Sequence, residues 1–185
     1  MIGEIRDLDT AKTALQASLT GHLVLSTFHA SSASTAISRL LDMAEESALL
    51  ASSIKLISAQ RLLRRVCEHC KQPVELDQVT KSKLQKTLAN LPPELQTEFA
   101  NPTLFKGQGC PACKGVVYQD GIPVAEQLVM NKELEDLLSS NQLVTADQIE
   151  AVAVKSGMIT ILQDALIKVL RGYTTLEEVE HVLDF

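Results

Sequence analysis

Residues 3–29 impose the strongest constraint on the fold, because their pattern changes from strand to helix and back to strand. A charged run, Gly3–Asp7, follows the single apolar residue Ile2 and predicts the charged end of a short strand. The next apolar residues recur at three- and four-residue spacing: Leu8, Ala11, Ala14, Leu15 and Leu19. This spacing predicts a helix with one buried face, capped by Asp7 and ended by Gly21.

A second strand is predicted directly after this helix. Leu23, Val24 and Leu25 are continuously apolar, which is typical of a strand covered on both faces. His22 and His29 bracket this strand. The whole pattern predicts a βαβ unit of an α/β fold, with polar groups at the carboxyl ends of parallel strands, where open sheets bind their ligands.

The composition excludes several classes of protein. Of the 185 residues, 45% are hydrophobic, which is enough for a packed core and argues against disorder. The net charge of −6 argues against a chain-wide surface for nucleic-acid phosphates. The sequence contains no apolar run of the ~20 residues that a membrane span needs, and no recognisable signal peptide. We therefore expect a cytosolic protein with reduced cysteines.

Two further helices are predicted before the first cysteine. Ser31 or Ser32 would cap the first one, whose apolar face holds Ala36, Ile37, Leu40, Leu41 and Met43. The second is predicted over Leu49–Val66, with an apolar side made of Leu49, Ile54, Ile57, Leu62 and Leu63. Its end carries three cations that would either complement the helix dipole or contact a phosphate or a partner: Arg61, Arg64 and Arg65.

The four cysteines form two Cys-x-x-Cys pairs, Cys67 with Cys70 and Cys110 with Cys113. A two-residue gap lets both sulfurs of a pair face one cation, and four thiolates are the ligand set of a closed structural zinc site. In a cytosolic chain this spacing favours zinc over two disulfides. We therefore predict a structural zinc without a catalytic role, with His69 as the alternative to one sulfur.

The remaining chain is predicted to be mostly helical. Leu84, Leu88 and Leu91 indicate one short helix in an otherwise irregular segment between the cysteine pairs. Ile122–Met130 predicts a short strand broken by Pro123. Four amphipathic helices then predict a bundle: Lys132–Leu138 with Asn131 as cap, Ala146–Lys155 with a capping box at Thr145, Ile161–Leu170 stopped by Gly172, and a last helix from Thr174 or Thr175.

These motifs together resemble the secretion ATPases that power type II secretion and type IV pilus assembly. Residues 3–11 and 20–29 resemble the Walker B and His-box region of that family. The resemblance continues through Gln60-Arg61-Leu62, the paired cysteines, Gly157-Met158 and residues 172–179, so it covers nearly the whole chain.

The resemblance implies a fold and a domain organisation. The fold is α/β: the C-terminal fragment of a RecA-like P-loop ATPase core, beginning at the Walker B motif, with a four-cysteine zinc insertion and a C-terminal helical bundle. The implied domains are a partial ATPase core at 1–66, a tetracysteine zinc-binding subdomain at 67–113 and a helical subdomain at 114–185.

The resemblance also implies roles for the motif residues. Glu4 matches the Walker B glutamate, which polarises the attacking water or holds a magnesium-bound water. Arg6 and Asp7 complete that motif and fix its geometry. His22 and His29 match the two His-box histidines, and His29 would sense the terminal phosphate. The implied catalytic residues are Glu4, Arg6 and His29, and the implied nucleotide-binding residues are Glu4, Asp7, His22 and His29.

The sequence departs from the family in two places. It contains no Gly-x-x-x-x-Gly-Lys-Ser/Thr phosphate loop, and the strands and N-terminal domain that precede the Walker B motif in family members are also absent. After the second cysteine pair, residues 117–121 read Val-Tyr-Gln-Asp-Gly where family members usually read Gly-Tyr-x-Gly-Arg. Because the loop supplies most phosphate contacts, we expect no ATP turnover by this chain alone.

Two functions from different classes follow. In the first, the chain is the C-terminal part of a hexameric ATPase, cytoplasmic and peripheral at the inner membrane, which uses ATP and magnesium. Its partners would be the missing N-terminal ATPase portion, further copies of itself and inner-membrane platform proteins. The zinc insertion favours secretion or assembly over pilus retraction. In the alternative, the chain is a truncated, non-catalytic, zinc-stapled assembly or interaction module. Nucleic-acid binding is disfavoured by the acidic balance and the 3% aromatic content.

Overall fold

The computed structural model describes residues 1–43, 47–99, 102–140, 143–183 and 185. Its elements, in chain order, are α1 (Leu8–Leu19), α2 (Ala33–Met43), α3 (Ser47–Ser53), β1 (Leu56–Val66), β2 (Lys71–Val74), α4 (Gln78–Thr87), α5 (Pro93–Glu98), β3 (Leu104–Gly107), a 3-10 turn at Pro111–Cys113, β4 (Tyr118–Val129), α6 (Lys132–Ser139), α7 (Ala146–Lys155), α8 (Ile161–Leu170) and α9 (Leu176–Leu183). Among these described residues, no helix combines the length and the apolar surface that a membrane crossing needs.

The structure confirms the predicted start and end of the first helix, α1. Asp7 has extended backbone angles, and its Oδ1 accepts a hydrogen bond of 2.8 Å from Thr10 N, as an N-cap residue does. Gly21 follows the helix with a φ of +87°, a conformation that costs glycine little. α2 also begins where predicted, because Ser32 Oγ accepts a hydrogen bond from Thr35 N at 3.1 Å.

The predicted second strand exists only as an extended segment. Ile2 N donates to Leu25 O at 2.9 Å, and Glu4 forms an isolated parallel bridge with Thr27. The prediction that this segment is covered on both faces was wrong, because Leu23 and Leu25 are 84% and 59% exposed. The side chains of Leu23 and Leu25 therefore form an uncovered apolar surface.

The predicted helix over Leu49–Val66 was wrong for most of its length. Helix α3 ends at Ser53, and Leu56–Val66 forms the strand β1. Exposure alternates along β1, so that the more buried side holds Ile57, Ala59 and Leu63. The apolar residues of this stretch fit the period of a helix as well as that of a strand. Pairing with β4 stabilises the strand.

The segment between the cysteine pairs is more regular than predicted. β2 and β3 form an antiparallel pair in which Lys71 is opposite Gly107 and Val74 is opposite Leu104. Two helices, α4 and α5, lie between these strands instead of one, because Pro92-Pro93 ends the first apolar pattern and starts a second helix. The hairpin returns the chain from one cysteine pair to the other.

The strand predicted over Ile122–Met130 is longer than expected. β4 runs from Tyr118 to Val129 without interruption at Pro123. Proline is tolerated there because β4 pairs with β1 in a sheet of two strands, so one edge of each strand needs no hydrogen-bond donor. Pro123 O accepts a hydrogen bond of 2.6 Å from Lys168 Nζ.

The chain divides into two compact units, each built from two stretches of sequence. Unit 1 comprises Met1–Ala59 and Glu126–Met158, and unit 2 comprises Gln60–Ala125 and Ile159–Phe185. The four predicted C-terminal helices form as expected, but a single bundle of them is not established, since α6 and α7 belong to unit 1 and α8 and α9 to unit 2.

Each unit has its own hydrophobic core. The core of unit 1 joins α2, α3, β4, α6 and α7 through Ala33, Ile37, Ala51, Leu128, Leu134, Leu138, Ile149, Ala153 and Met158. In unit 2, most residues of α8 are buried, including Leu166 and Val169 at 0% exposure. Thr160 caps α8 through a capping box with Gln163.

Candidate functional site

The candidate nucleotide site lies where the two extended segments of unit 1 meet. Besides the bridge between Glu4 and Thr27, Ile5 N donates to Thr27 O at 3.0 Å and Thr27 Oγ1 donates to Gly3 O at 2.7 Å. These bonds fix the parallel register of the two segments. His29 lies two residues beyond the bridge and is therefore within reach of Glu4.

The carboxylate of Glu4 contacts a cation and a histidine at once. Glu4 Oε2 is 2.6 Å from Arg6 Nη2, and Glu4 Oε1 is 3.1 Å from His29 Nε2. The hydrogen bond from Arg6 is the main cause that lowers the pKa of Glu4, so the carboxylate is ionised at neutral pH. The side chain of Glu4 is 18% exposed, whereas that of His29 is 87% exposed and faces solvent.

The other two predicted nucleotide-site residues have different contacts. The Asp7 carboxylate is occupied as the cap of α1, and the backbone N–H of Thr10 is the main cause that lowers its pKa. His22 lies at the opposite end of the extended segment, where its Nδ1 is 3.0 Å from Thr20 Oγ1. The structure therefore brings together Glu4, Arg6 and His29 out of the five predicted residues.

The four cysteines meet in unit 2 as the hairpin requires. Their sulfur atoms all lie within 4.8 Å of one another. Sγ–Sγ distances are 3.8 Å from Cys67 to Cys110, 3.9 Å from Cys70 to Cys113 and 3.7 Å from Cys110 to Cys113. A tetrahedral centre with metal–sulfur bonds of about 2.3 Å has sulfur–sulfur edges of about 3.8 Å. The cluster therefore has the size of a tetrahedral thiolate site.

Two of the four thiols in the cluster have pKa values that are shifted in opposite directions. Backbone N–H groups, first that of Cys110 and then that of Val117, lower the pKa of Cys113 to about 6. Burial raises the pKa of Cys67 to about 11. The thiol of Cys113 is therefore acidic, whereas the buried thiol of Cys67 needs a nearby cation to ionise. This combination suits metal binding.

Sequence reasoning did not single out Arg39, which contacts the candidate nucleotide site. Arg39 Nη1 donates a hydrogen bond to His29 O, and its guanidinium carbon lies 5.2 Å from the centre of the Phe28 ring. The signal in the sequence was weak, since a single arginine on an amphipathic helix ordinarily indicates a solvated face.

Comparison with known proteins identifies the family. The family model "Type II/IV secretion system protein" matches residues 1–181. The chain belongs to this family. The secretion-family chain is 40% identical over 179 residues to the type IV pilus assembly ATPase PilB of Thermus thermophilus, which covers 97% of this chain and 19% of the relative. It is 39% identical over 183 residues to the type II secretion system ATPase E of Vibrio cholerae, covering 98% and 34%.

Solved structures support the fold of this secretion-family chain. The Legionella pneumophila ATPase DotB matches with a TM-score of 0.64 at 18% identity, over 99% of this chain and 38% of that one. The pilus retraction motor PilT with bound ADP matches with a TM-score of 0.60 at 22% identity, over 97% and 37%. The α/β fold is therefore shared with these ATPases. The chain spans between about a fifth and a third of the length of the two curated relatives.

Proposed function

We propose that this chain is the C-terminal part of an ATPase that powers type IV pilus assembly or type II protein secretion by hydrolysing ATP. The observation that carries the proposal is the contact between Glu4 and His29 across the parallel bridge. The names of the relatives, a pilus assembly ATPase and a secretion system ATPase, support the same assignment.

The site residues have distinct roles in this proposal. In the complete enzyme, a magnesium ion would supply positive charge for the outer phosphates of ATP. Glu4, ionised and held by Arg6, accepts a hydrogen bond from the attacking water and orients it. His29 is exposed at the same place and donates to the terminal phosphate. Asp7 caps α1 directly after Glu4 and Arg6, and His22, at the other end of the extended segment, stays a predicted nucleotide contact.

We propose that the nucleotide site is completed by a phosphate loop that lies outside these 185 residues. The backbone cradle for the phosphates would belong to that loop. The uncovered Leu23 and Leu25 lie on an extended segment, the kind of edge at which a further strand pairs and covers apolar side chains. In the complete protein we expect a hexameric ring, cytoplasmic and peripheral at the inner membrane, in contact with platform proteins.

A second proposal is that the four cysteines bind one structural zinc within residues 67–113. The sulfur–sulfur distances support it, because they equal the edges of a zinc–thiolate tetrahedron. Cys67, Cys70, Cys110 and Cys113 would hold the ion, and it would supply a crosslink between the segments that flank the hairpin of β2 and β3 rather than a reactive centre.

The alternative function is a non-catalytic, zinc-stapled assembly module. It is favoured by the compact cysteine cluster. In that case the Glu4–His29 contact is a remnant that stabilises unit 1, and no polypeptide restores hydrolysis.

ATP turnover distinguishes these functions. We expect no turnover by this chain alone, and magnesium-dependent turnover when it is mixed with a polypeptide that carries a Gly-x-x-x-x-Gly-Lys-Ser/Thr loop. In the mixture, Glu4→Gln lowers kcat by about 10²- to 10⁴-fold, as removal of a general base does. Glu75→Gln, an exposed carboxylate in unit 2, is the control and leaves kcat unchanged. Glu4-dependent turnover by the chain alone contradicts the requirement for a partner.

A further inference from the structure

We propose that Arg39 is a positioning residue for His29, and this inference rests on the function proposed above. Arg39 lies on α2, ten residues after His29, and points back to the segment that precedes its own helix. Its Nη1 donates to the carbonyl oxygen of His29, while the guanidinium lies over the ring of Phe28 at 5.2 Å. Arg39 thus contacts the backbone of one residue and the side chain of its neighbour.

Helix α2, which carries Arg39, is held in place by the core of unit 1. Ala33 and Ile37 are 0% exposed in the core of unit 1. At the N-terminus of the helix, the buried carboxylate of Glu126 accepts a hydrogen bond of 2.6 Å from Ala33 N, across 93 residues of sequence. Because core packing and this bond hold α2, the position of Arg39 is determined by the fold.

The segment that carries His29 is held on either side of that residue. Thr27, two residues before it, is anchored by its bonds to Ile5 and Gly3. Ser32, three residues after it, caps α2. The His29 side chain itself is 87% exposed and has Glu4 as its ion-pair partner. An exposed side chain loses entropy when it is kept in one orientation. The bond from Arg39 restrains the His29 peptide between these two anchors and therefore reduces that cost at the site.

The contact requires arginine rather than any cation. A guanidinium can donate from one edge to a carbonyl while its face lies over an aromatic ring. A lysine ammonium can form one of these contacts but not both with the same geometry. We therefore expect Arg39→Lys to retain part of the effect and Arg39→Gln to lose most of it.

The first experiment uses this chain alone and does not depend on ATP hydrolysis. Nuclear Overhauser contacts between the His29 ring and the Glu4 side chain are measured for wild type, Arg39→Gln and the control Asp42→Asn, an exposed charge on the same helix. We expect the contacts to weaken at least about threefold in Arg39→Gln and to persist in the control. Contacts of wild-type strength in a folded Arg39→Gln overturn the inference. If that variant unfolds, Arg39→Lys is measured instead, and its unchanged contacts have the same meaning.

The second experiment uses the mixture with the phosphate-loop polypeptide. A positioning role predicts that Arg39→Gln lowers kcat about 10- to 100-fold while the KM for ATP changes less than about twofold. It also predicts no further fall in kcat when Arg39→Gln is added to His29→Ala, because both act on the same group. Additive effects overturn the inference. If wild type itself shows no turnover in the mixture, the proposed function fails, and the contacts measured in the chain alone still decide the role of Arg39.

Discussion

At the scale of single residues, two residues around the start of β4 have a backbone conformation that ordinarily belongs to glycine. Val117 has a φ of +71° and Asp120 a φ of +64°. These are the two positions at which the related family pattern, Gly-Tyr-x-Gly-Arg, reads glycine. At Val117 the strain is offset, because its side chain fills the space above Gly107: a Cβ on that glycine would lie 2.4 Å from Val117 Cγ1. Asp120 is exposed and has no such compensation.

We therefore predict that Asp120→Gly stabilises the protein. Relief of the left-handed conformation is worth about 1–2 kcal/mol, and the larger backbone entropy of glycine in the unfolded chain offsets about 0.5–1 kcal/mol of it. The neighbouring exposed residue provides the control, since Gln119→Gly gains no relief and is expected to destabilise. Urea denaturation measures both. A loss of stability in Asp120→Gly would show that this backbone carries no strain.

Glu178 is a buried carboxylate in the first turn of α9 that binds Arg64 of β1. It is 2% exposed; its Oε1 accepts from Arg64 N at 2.9 Å and its Oε2 from Arg64 Nε at 2.8 Å. Burial raises the pKa of Glu178, but the hydrogen bonds from Arg64 outweigh burial and leave that pKa below its usual range. Stability from this pair is thus present above the unfolded-state pKa of about 4.3 and is lost as the pH falls through the folded-state pKa.

We predict that Glu178→Ala lowers the free energy of unfolding by about 1–2 kcal/mol at pH 7, since it leaves the backbone N–H of Arg64 without its acceptor. The expected loss of free energy is small for a buried carboxylate, because the Arg64 side chain is 57% exposed and solvent weakens its ion pair with Glu178. Glu178→Gln retains an acceptor oxygen and should lose less. Both differences should shrink below about pH 4.3. A difference that grows with acidity would contradict the assigned direction of the pKa shift.

At the scale of elements, local signals predicted the helices well and the strands poorly. Asp7, Thr145 and Asn131 mark helix starts by bonds within three residues, so the sequence contains their evidence. β1 instead depends on pairing with β4, whose residues lie more than fifty positions later. Leu62 and Leu63 fit a helical face as well as a strand, and the distant partner makes the difference.

The capping boxes of α7 and α8 allow a matched test of element stability. Thr145 and Thr160 each accept a hydrogen bond from the third residue of their helix, so either change to alanine costs about 1 kcal/mol locally. We predict a larger loss for Thr160→Ala, because α8 is buried along most of its length while α7 buries Ile149 and Ala153. Equal losses in denaturant unfolding would show that the first turn of α8 is not coupled to the core of unit 2.

At the scale of the whole molecule, sequence patterns predicted which side chains come together but not how the chain packs. The Walker B and His-box resemblance predicted a site that the structure assembles from Glu4, Arg6 and His29, and the cysteine spacing predicted the cluster. The two units could not be predicted, since each joins stretches of sequence that only tertiary contacts bring together. Arg39 was missed because a single arginine on an amphipathic helix ordinarily indicates a solvated face.

Zinc content tests the proposed crosslink in unit 2. Under reducing conditions we expect one zinc per chain, its loss in Cys113→Ser, and its retention in His69→Ala, which removes the alternative ligand. Chelation should lower the apparent stability by about 2.7 kcal/mol if free zinc is 100 times its dissociation constant. Stoichiometry far below one per chain would rule out the four-thiolate site.

The most direct measurement is the kcat for ATP of this chain mixed with a phosphate-loop polypeptide, compared between wild type and Glu4→Gln. We expect turnover in the mixture that falls by about 10²- to 10⁴-fold in the variant. Equal turnover in wild type and Glu4→Gln would contradict it, because the carboxylate beside His29 would then have no part in hydrolysis.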